Sequence, residues 1–489
     1  MHYTIFSENP ESRFLNVECR LTDIHTPTVE LQLPAWRPGR YELQNFAKNI
    51  QQFAITDGEG RAVDFRKITK DRWRVQTEGV RELVIRYNYF SNLVNAGTSY
   101  ADDRLLYVNP VNLCLYAEGR LHEPCTLQLG IPADWPIACG LKQTGPATLR
   151  AADFYELADS PLIASPDLKH EQYVAGGVVF HVWIHGDYSP NWERIREDFV
   201  RFTDVQLQLF GEFPERDYHF LTLIQNIPVY HGVEHRNSTV LVLGPNDEGE
   251  GLYNDFIGVS SHELFHAWNI CRIRPVELLP YDFTRENYFP TCFVAEGVTT
   301  YYGDLLLRRS GVFSDEAYRK ELHVLLKRHF EQNGRAAQSL AESSWDLWLD
   351  GYEKGVPDRK VSVYQKGAIA AMLLDLHLRR KTDHDRTLDD VMRLMWERFG
   401  KPFVGYTLDD YRAVCEEVAG EPLDWYFNTC IFGNEPLEEL VNAYLDFVGL
   451  RIDYDPEADG LSLLLLDTDN EVGLEEREKW LTMGLTAVH

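Results

Sequence analysis

Ser260-Ser261-His262-Glu263-Leu264-Phe265-His266-Ala267-Trp268 is the stretch on which the reading of this chain turns. Its histidines are four residues apart. On a helix that spacing puts both imidazoles on one face, one turn apart. Neutral imidazole nitrogens are good zinc ligands, and two of them can share one tetrahedral ion. Glu263 follows the first histidine, so it stands beside such an ion without having to bind it. There it can take a proton from an attacking water. Leu264, Phe265 and Trp268 give the helix apolar faces to bury. The spacing therefore predicts a buried helix carrying a metal site, and a fold built to hold it.

A hydrolytic zinc usually takes three protein ligands and leaves one position open. The best third candidate is Glu296, in Phe293-Val294-Ala295-Glu296-Gly297-Val298-Thr299-Thr300-Tyr301-Tyr302-Gly303-Asp304. This segment reads as a helix ending near Arg308. Gly297 and Gly303 inside it cost roughly 1 kcal/mol each relative to alanine, which points to close packing or a crowded site. Thr300, one turn beyond Glu296, is a candidate hydrogen-bond partner for a metal ligand. Cleavage of an amide also needs a group to stabilise the oxyanion. Tyr364 stands at the start of a strongly apolar helix running to about Leu378, which could hold it rigidly.

Outward from these segments the texture changes. Residues 1–170 read as β-rich, with alternating runs at Thr28–Leu33 and Leu83–Tyr89 and turns at Pro38-Gly39 and Asp57–Gly60, a pattern that suits a β-sandwich or a curved open sheet. Ser189-Pro190 reads as a helix cap, followed by Trp192, Ile195, Phe199 and Phe202 at helical spacing. Strands are expected at Tyr218–Ile224 and Ser238–Leu243. Residues 254–440 read as mostly helical, and the tail returns to strands at Leu450–Tyr454 and Leu461–Leu466.

The bulk properties narrow the partners. The chain has 489 residues and a net charge of −28. Such a surface repels phosphate backbones, which excludes nucleic acid as a natural partner and favours cationic groups such as a free amine. None of the eight cysteines forms a Cys-x-x-Cys pair, so free, mostly buried thiols in a reducing compartment are expected. The N-terminus shows no basic segment followed by an apolar run. The most apolar stretch, Ala368–Leu378, is interrupted by Asp375 and His377 and is too short for a membrane span. A cytoplasmic location is the expectation.

Together these segments resemble the M61 metallopeptidases, the glycyl aminopeptidase group of the gluzincin clan, related to the M1 aminopeptidases. Leu33-Pro34-Ala35-Trp36-Arg37-Pro38-Gly39-Arg40-Tyr41 is similar to the family's N-terminal signature. His262–Asn269 with Arg272-Ile273-Arg274-Pro275, and Glu296–Tyr302, look like its metal-binding segments. The resemblance implies that Tyr364, followed by Lys366-Gly367, stabilises the oxyanion. It also implies that Gly232-Val233-Glu234-His235 is the substrate-binding segment, with Glu234 on the substrate's α-amine. The strand Ser238–Leu243 would line the cleft and pair with the substrate backbone. A preference for N-terminal glycine or alanine is implied by the family name alone. About 45 residues follow Phe447, fewer than the PDZ domain many M61 proteins carry needs on ordinary domain sizes, so peptide-tail recognition is not carried over.

The expected architecture is therefore α+β and multidomain. It comprises an N-terminal β-sandwich or saddle domain (1–170), a thermolysin-like catalytic domain (171–330), a helical region completing the cleft (331–446) and a short β-rich tail (447–489). The expected activity is zinc-dependent removal of N-terminal residues from peptides with a free amine, using one Zn2+ per chain. His262, His266 and Glu296 would be the ligands and Glu263 the base. A zinc endopeptidase or another amide hydrolase of the gluzincin type is the rival. A non-catalytic peptide-binding protein on the same scaffold is the second.

Overall fold

Along Phe14–Leu21 buried and less buried side chains alternate strictly, as a strand with one face on a core requires. The strand pairs with His2–Phe6 on one side and Leu83–Phe90 on the other, at the centre of a seven-stranded sheet. A four-stranded sheet containing Thr28–Gln32 and Arg72–Gln76 faces it. The two share one core, in which Tyr3, Ile5, Val17 and Ile85 meet Leu31, Trp73 and Val75. This is the expected β-rich N-terminal region, seen in a computed structural model that describes residues 1–246, 250–353, 355–455, 463–468 and 470–482.

The segment after Thr28–Gln32 leaves the sheets and reaches the rest of the molecule. Trp36 is fully buried and donates its indole N–H to the Asp282 carbonyl at 2.7 Å. Its ring packs edge-on against Tyr281 and Trp348. This aromatic anchor fixes the Pro38-Gly39 turn at the site described below.

A five-stranded sheet follows. It comprises β1 (Lys169–Ala175), β2 (Val178–His185), β3 (Asp217–Ile224), β4 (Tyr230–His235) and β5 (Ser238–Leu243), in the order β1-β2-β3-β5-β4. β2 and β3 are parallel, joined by the crossover helix α1 (Trp192–Phe210). The cap of α1 is Asn191, whose side chain accepts from Arg194 N–H, and not the Ser189-Pro190 pair the sequence suggests. β5 is buried along its whole length, as an inner strand covered on both faces is. Its two edges are occupied by β3 and β4. The expectation that Ser238–Leu243 pairs with a substrate backbone is therefore corrected: β4 has the free edge, because its own antiparallel hairpin with β5 closes off the inner strand.

The helical part begins with α2 (Gly251–Phe265). A π-helical turn at Phe293–Val298 leads into α3 (Thr299–Arg309), and α4 (Asp315–Phe330) and α5 (Gln365–Thr382) follow. The tail forms a hairpin of Leu450–Tyr454 with Leu463–Asp467 and then a helix, α6 (Glu471–Thr482). Residues 461 and 462 of the expected last strand lie outside the described residues. The tail is thus not simply β-rich. Trp480 of α6 is fully buried and donates to the Tyr301 hydroxyl at 2.8 Å, which docks the tail on α3. All eight cysteines are buried and unpaired. Among the described residues no helix is long and apolar enough to cross a membrane.

Candidate metal centre and active-site cavity

α2 is held on every side before any functional group is considered. Leu264 and Phe265 are fully buried, and Phe265 stacks on Tyr302 of α3 at 4.8 Å. Gln206 of α1 donates to the Ser261 carbonyl, Ser261 Oγ donates to the Gly303 carbonyl, and Tyr218 of β3 donates to the Glu263 carbonyl. These bonds fix the helix lengthwise and in rotation. The face carrying His262, Glu263 and His266 is thereby turned to a cavity of about 530 Å³.

At the C-terminal end of α2, His266 Nε2 lies 3.1 Å from His262 Nε2 and 3.3 Å from Glu296 Oε2. The His262 to Glu296 separation is 3.8 Å. The three residues can each turn one ligand atom to a common point, all within 4.8 Å of one another. His266 Nδ1–H donates to the Asn269 carbonyl at 2.9 Å, so its Nε2 lone pair faces the cavity. Asn269 in turn donates to the carbonyls of Val294 and Ala295 and to Thr299 Oγ1, which stands 3.4 Å from His266 Nδ1. One amide side chain therefore clamps the turn after α2 to the π turn that carries Glu296. Next to it Ile270 sits at φ 90°, a left-handed conformation that a β-branched residue holds only against local strain.

Glu296 reaches the histidines because its backbone is π-helical, a form that concentrates at functional sites. The crowding inferred for Gly297 and Gly303 is real. A Cβ on Gly297 would lie 2.5 Å from the Gly367 Cα of α5, and one on Gly303 3.3 Å from the His262 Cβ. Thr300, by contrast, does not bond a ligand. Its hydroxyl is buried without a partner and fronts the cavity, while the neighbouring Thr299 makes the contacts.

The remaining groups come from the sheet and from α5. Gly232 and Glu234 of β4 and Tyr364, at the cap of α5, line the same cavity. A Cβ on Gly232 would come within 2.1 Å of Glu263 Oε1, so the strand can approach the carboxylate only as glycine. Glu234 lies within 4.8 Å of Glu263 and His266, atom to atom. His235 points the other way, as alternation along a strand dictates. It is bonded to Asp159 at 2.8 Å and does not line the cavity. The sequence reading missed Asn269, Thr299 and Gly39, which also lines the cavity. Asn269 and Gly39 lie within the motifs already quoted, but their partners are distant in the chain, so no local pattern marks them.

Electrostatically this end of the cavity is overloaded with carboxylates. Glu234, Glu263 and Glu296 are all at least nine-tenths buried. Burial, opposed by His266 and reinforced by Glu234 and Glu296, pushes Glu263 well above the usual carboxyl range. Burial also raises Glu234. Burial would raise Glu296 too, but His266 and His262 hold it down to about 2. Burial would lower His266, yet Glu296, Glu234 and Glu263 draw it up to about 10. Glu263 Oε2 has no hydrogen-bond partner. Two imidazole nitrogens and a carboxylate converging on one point, in a field of buried negative charge, are the donor set that suits a divalent ion such as zinc.

The fold defines the class first. The M1 zinc metallopeptidase from Deinococcus radiodurans matches with a TM-score of 0.55 over 89% of this chain and 94% of that chain, at 15% identity. The native yeast LTA4 hydrolase matches at 0.52 over 92% and 72%, at 13% identity. The molecule has the M1 metallopeptidase fold. The M61 peptidase N-terminal domain matches residues 2–166, and the M61 glycyl aminopeptidase model matches residues 255–370. Together they cover more than half of the chain, which belongs to the M61 family of peptidases. An aminopeptidase N family protein from Idiomarina loihiensis matches with a TM-score of 0.87 over 93% of this chain and 79% of that chain, at 29% identity. No curated protein matches.

Proposed function

We propose that this chain is a zinc-dependent aminopeptidase that removes N-terminal residues from peptides. The observation that carries the reading is the Glu234 carboxylate, which projects from the free-edged strand β4 into the cavity beside Glu263 and His266. A peptide running along β4 would meet this carboxylate with its α-amine. One residue then fits between the amine anchor and the scissile carbonyl, which makes the enzyme an exopeptidase. The M1 protein of Deinococcus radiodurans has been seen with a Tyr-Ser-Ala substrate, and that likeness supports a peptide in the equivalent cleft.

His262, His266 and Glu296 would hold a single zinc ion. When bound, the metal supplies Lewis-acid polarisation of a carbonyl oxygen and makes water a nucleophile near neutral pH. The chain's own residues do the rest. Glu263, with an oxygen free of partners, takes the proton of the attacking water and passes it to the leaving amine. Tyr364 donates its hydroxyl to the developing oxyanion. Gly232 leaves the strand backbone open for the substrate. The family's name favours N-terminal glycine or alanine as the residue released, and rates on a panel of aminoacyl substrates would measure that preference. The eight buried, unpaired thiols favour a reducing compartment such as the cytoplasm.

Two measurements test the reading. Metal analysis of the purified protein should find zinc, and Glu263→Gln should keep it while abolishing release of alanine from alanyl peptides. Acetylation of the substrate amine should suppress cleavage. If acetylated peptides are cut as fast as free ones, the amine-anchor role of Glu234 is wrong and the site is that of an endopeptidase.

A further inference from the structure

The cavity continues past the metal centre, and its far end has a different chemistry. β4 and α2 run alongside each other, which gives the cavity an order. Glu234, Gly39 and Glu296 stand at one end, Gly232 and Glu263 in the middle, and Tyr230, Asp255 and Asp304 at the other. Tyr230 is two residues before Gly232, about 7 Å along the strand. Asp255 is two turns of α2 before Glu263, about 12 Å along the helix axis.

Three carboxylates gather there: Asp255 of α2, Asp304 of α3 and Glu321 of α4. All are partly buried. Among the described residues, no cation lies within salt-bridge distance of Asp304 or Glu321. Lys320 and Arg328 act on Glu321 electrostatically, and Arg328, which lines the cavity, is exposed. Burial and the neighbouring Glu321 lift Asp304 to about 7. Phe313, Val324 and Leu325 add apolar side chains to the lining of the same cavity. Midway along the same cavity, Glu263 is only 5% exposed and one of its oxygens has no hydrogen-bond partner.

We propose that this end is the subsite for the residue following the scissile bond, and that it selects lysine or arginine there. The proposal rests on the aminopeptidase reading, because Glu234 fixes the amine at one end and so sends the next residue toward the other. The match is amphipathic. Phe313, Val324 and Leu325 cover the methylene stem, and the acids meet the charged head. A glutamate in that position would face three carboxylates, with Lys320 and the exposed Arg328 as the cations that act on Glu321. The general negative field of the chain acts in the same direction.

The test compares release of alanine from Ala-Lys-Ala, Ala-Leu-Ala and Ala-Glu-Ala by the zinc-loaded enzyme. The expected order of kcat/KM is Lys above Leu above Glu, with Lys and Glu separated by about tenfold or more. Asp304→Asn and, separately, Glu321→Gln should each shrink that ratio, mainly through KM, and together bring it to within about threefold. Equal rates on the three wild-type reactions, or a ratio the variants leave unchanged, would overturn the subsite. Failure to release alanine from any of them would instead overturn the aminopeptidase reading beneath it.

Discussion

α3 carries two buried charge clusters at its two ends, and they are built on opposite plans. At its C-terminal end Arg309 pairs with Asp389 at 3.0 Å and Arg379 with Asp375 at 3.0 Å, all essentially without solvent contact. Tyr301 and Tyr302 donate to Asp375 and Asp389. Two cations face two anions, and the phenols satisfy further lone pairs. Just before its N-terminal end, Glu296 joins Glu234, Glu263 and two histidines. There carboxylates outnumber any built-in positive charge, and one carboxylate oxygen has no partner. The balanced cluster has its charges paired within the fold, although Arg309 Nε and Nη2 and Arg379 Nη2 also lack hydrogen-bond partners. The unbalanced one carries an excess of buried negative charge, which on the proposed reading a metal ion and a substrate amine would offset.

That contrast can be broken by experiment, starting with the largest effect. Glu263→Gln should lower kcat by about 10²–10⁴ while zinc content and melting temperature stay close to wild type. A large loss of stability would mean that Glu263 is structural after all. Arg309→Leu should do the reverse. It strands the Asp389 charge and should cost about 3–5 kcal/mol in denaturant unfolding, while the folded fraction keeps its zinc. Tyr364→Phe should reduce kcat by about 10²–10³ with KM little changed, because the hydroxyl acts only as oxyanion charge develops. Peptide kinetics separate that outcome from a packing defect, which would raise KM as well. The smallest effect concerns pH. Asp304 ionises near 7, so the Lys over Glu preference should rise severalfold from pH 6 to pH 8 as that carboxyl loses its proton. A flat preference over that range would remove Asp304 from the subsite.

The two clusters also differ in how far the sequence exposes them. His262, Glu263 and His266 are legible because all three lie within five residues of one helix, where spacing alone fixes their geometry. Glu296 is legible more weakly, through the glycine beside it, whose cost in a helix needed a reason. The Asp375–Arg379 pair lies one helical turn apart, yet nothing local marks it as part of a buried network reaching Arg309 and Asp389. Trp480 at the far end of the chain was equally hidden, since its partner Tyr301 is 179 positions away.

What the sequence determined by itself is the local chemistry. It set two imidazoles on one face of a helix, a carboxylate between them, a β-rich first third and a helical centre, because helix and strand periods are properties of neighbouring residues. What only the tertiary structure decided is which groups share a space. It made β4 the free edge in place of β5 and turned His235 out of the cavity while Glu234 points in. It gave Thr299 the contacts expected of Thr300. It also brought Asp255, Asp304 and Glu321 from three helices to one wall. Those outcomes depend on strand order, helix rotation and close packing between segments far apart in the chain, and no local period encodes them.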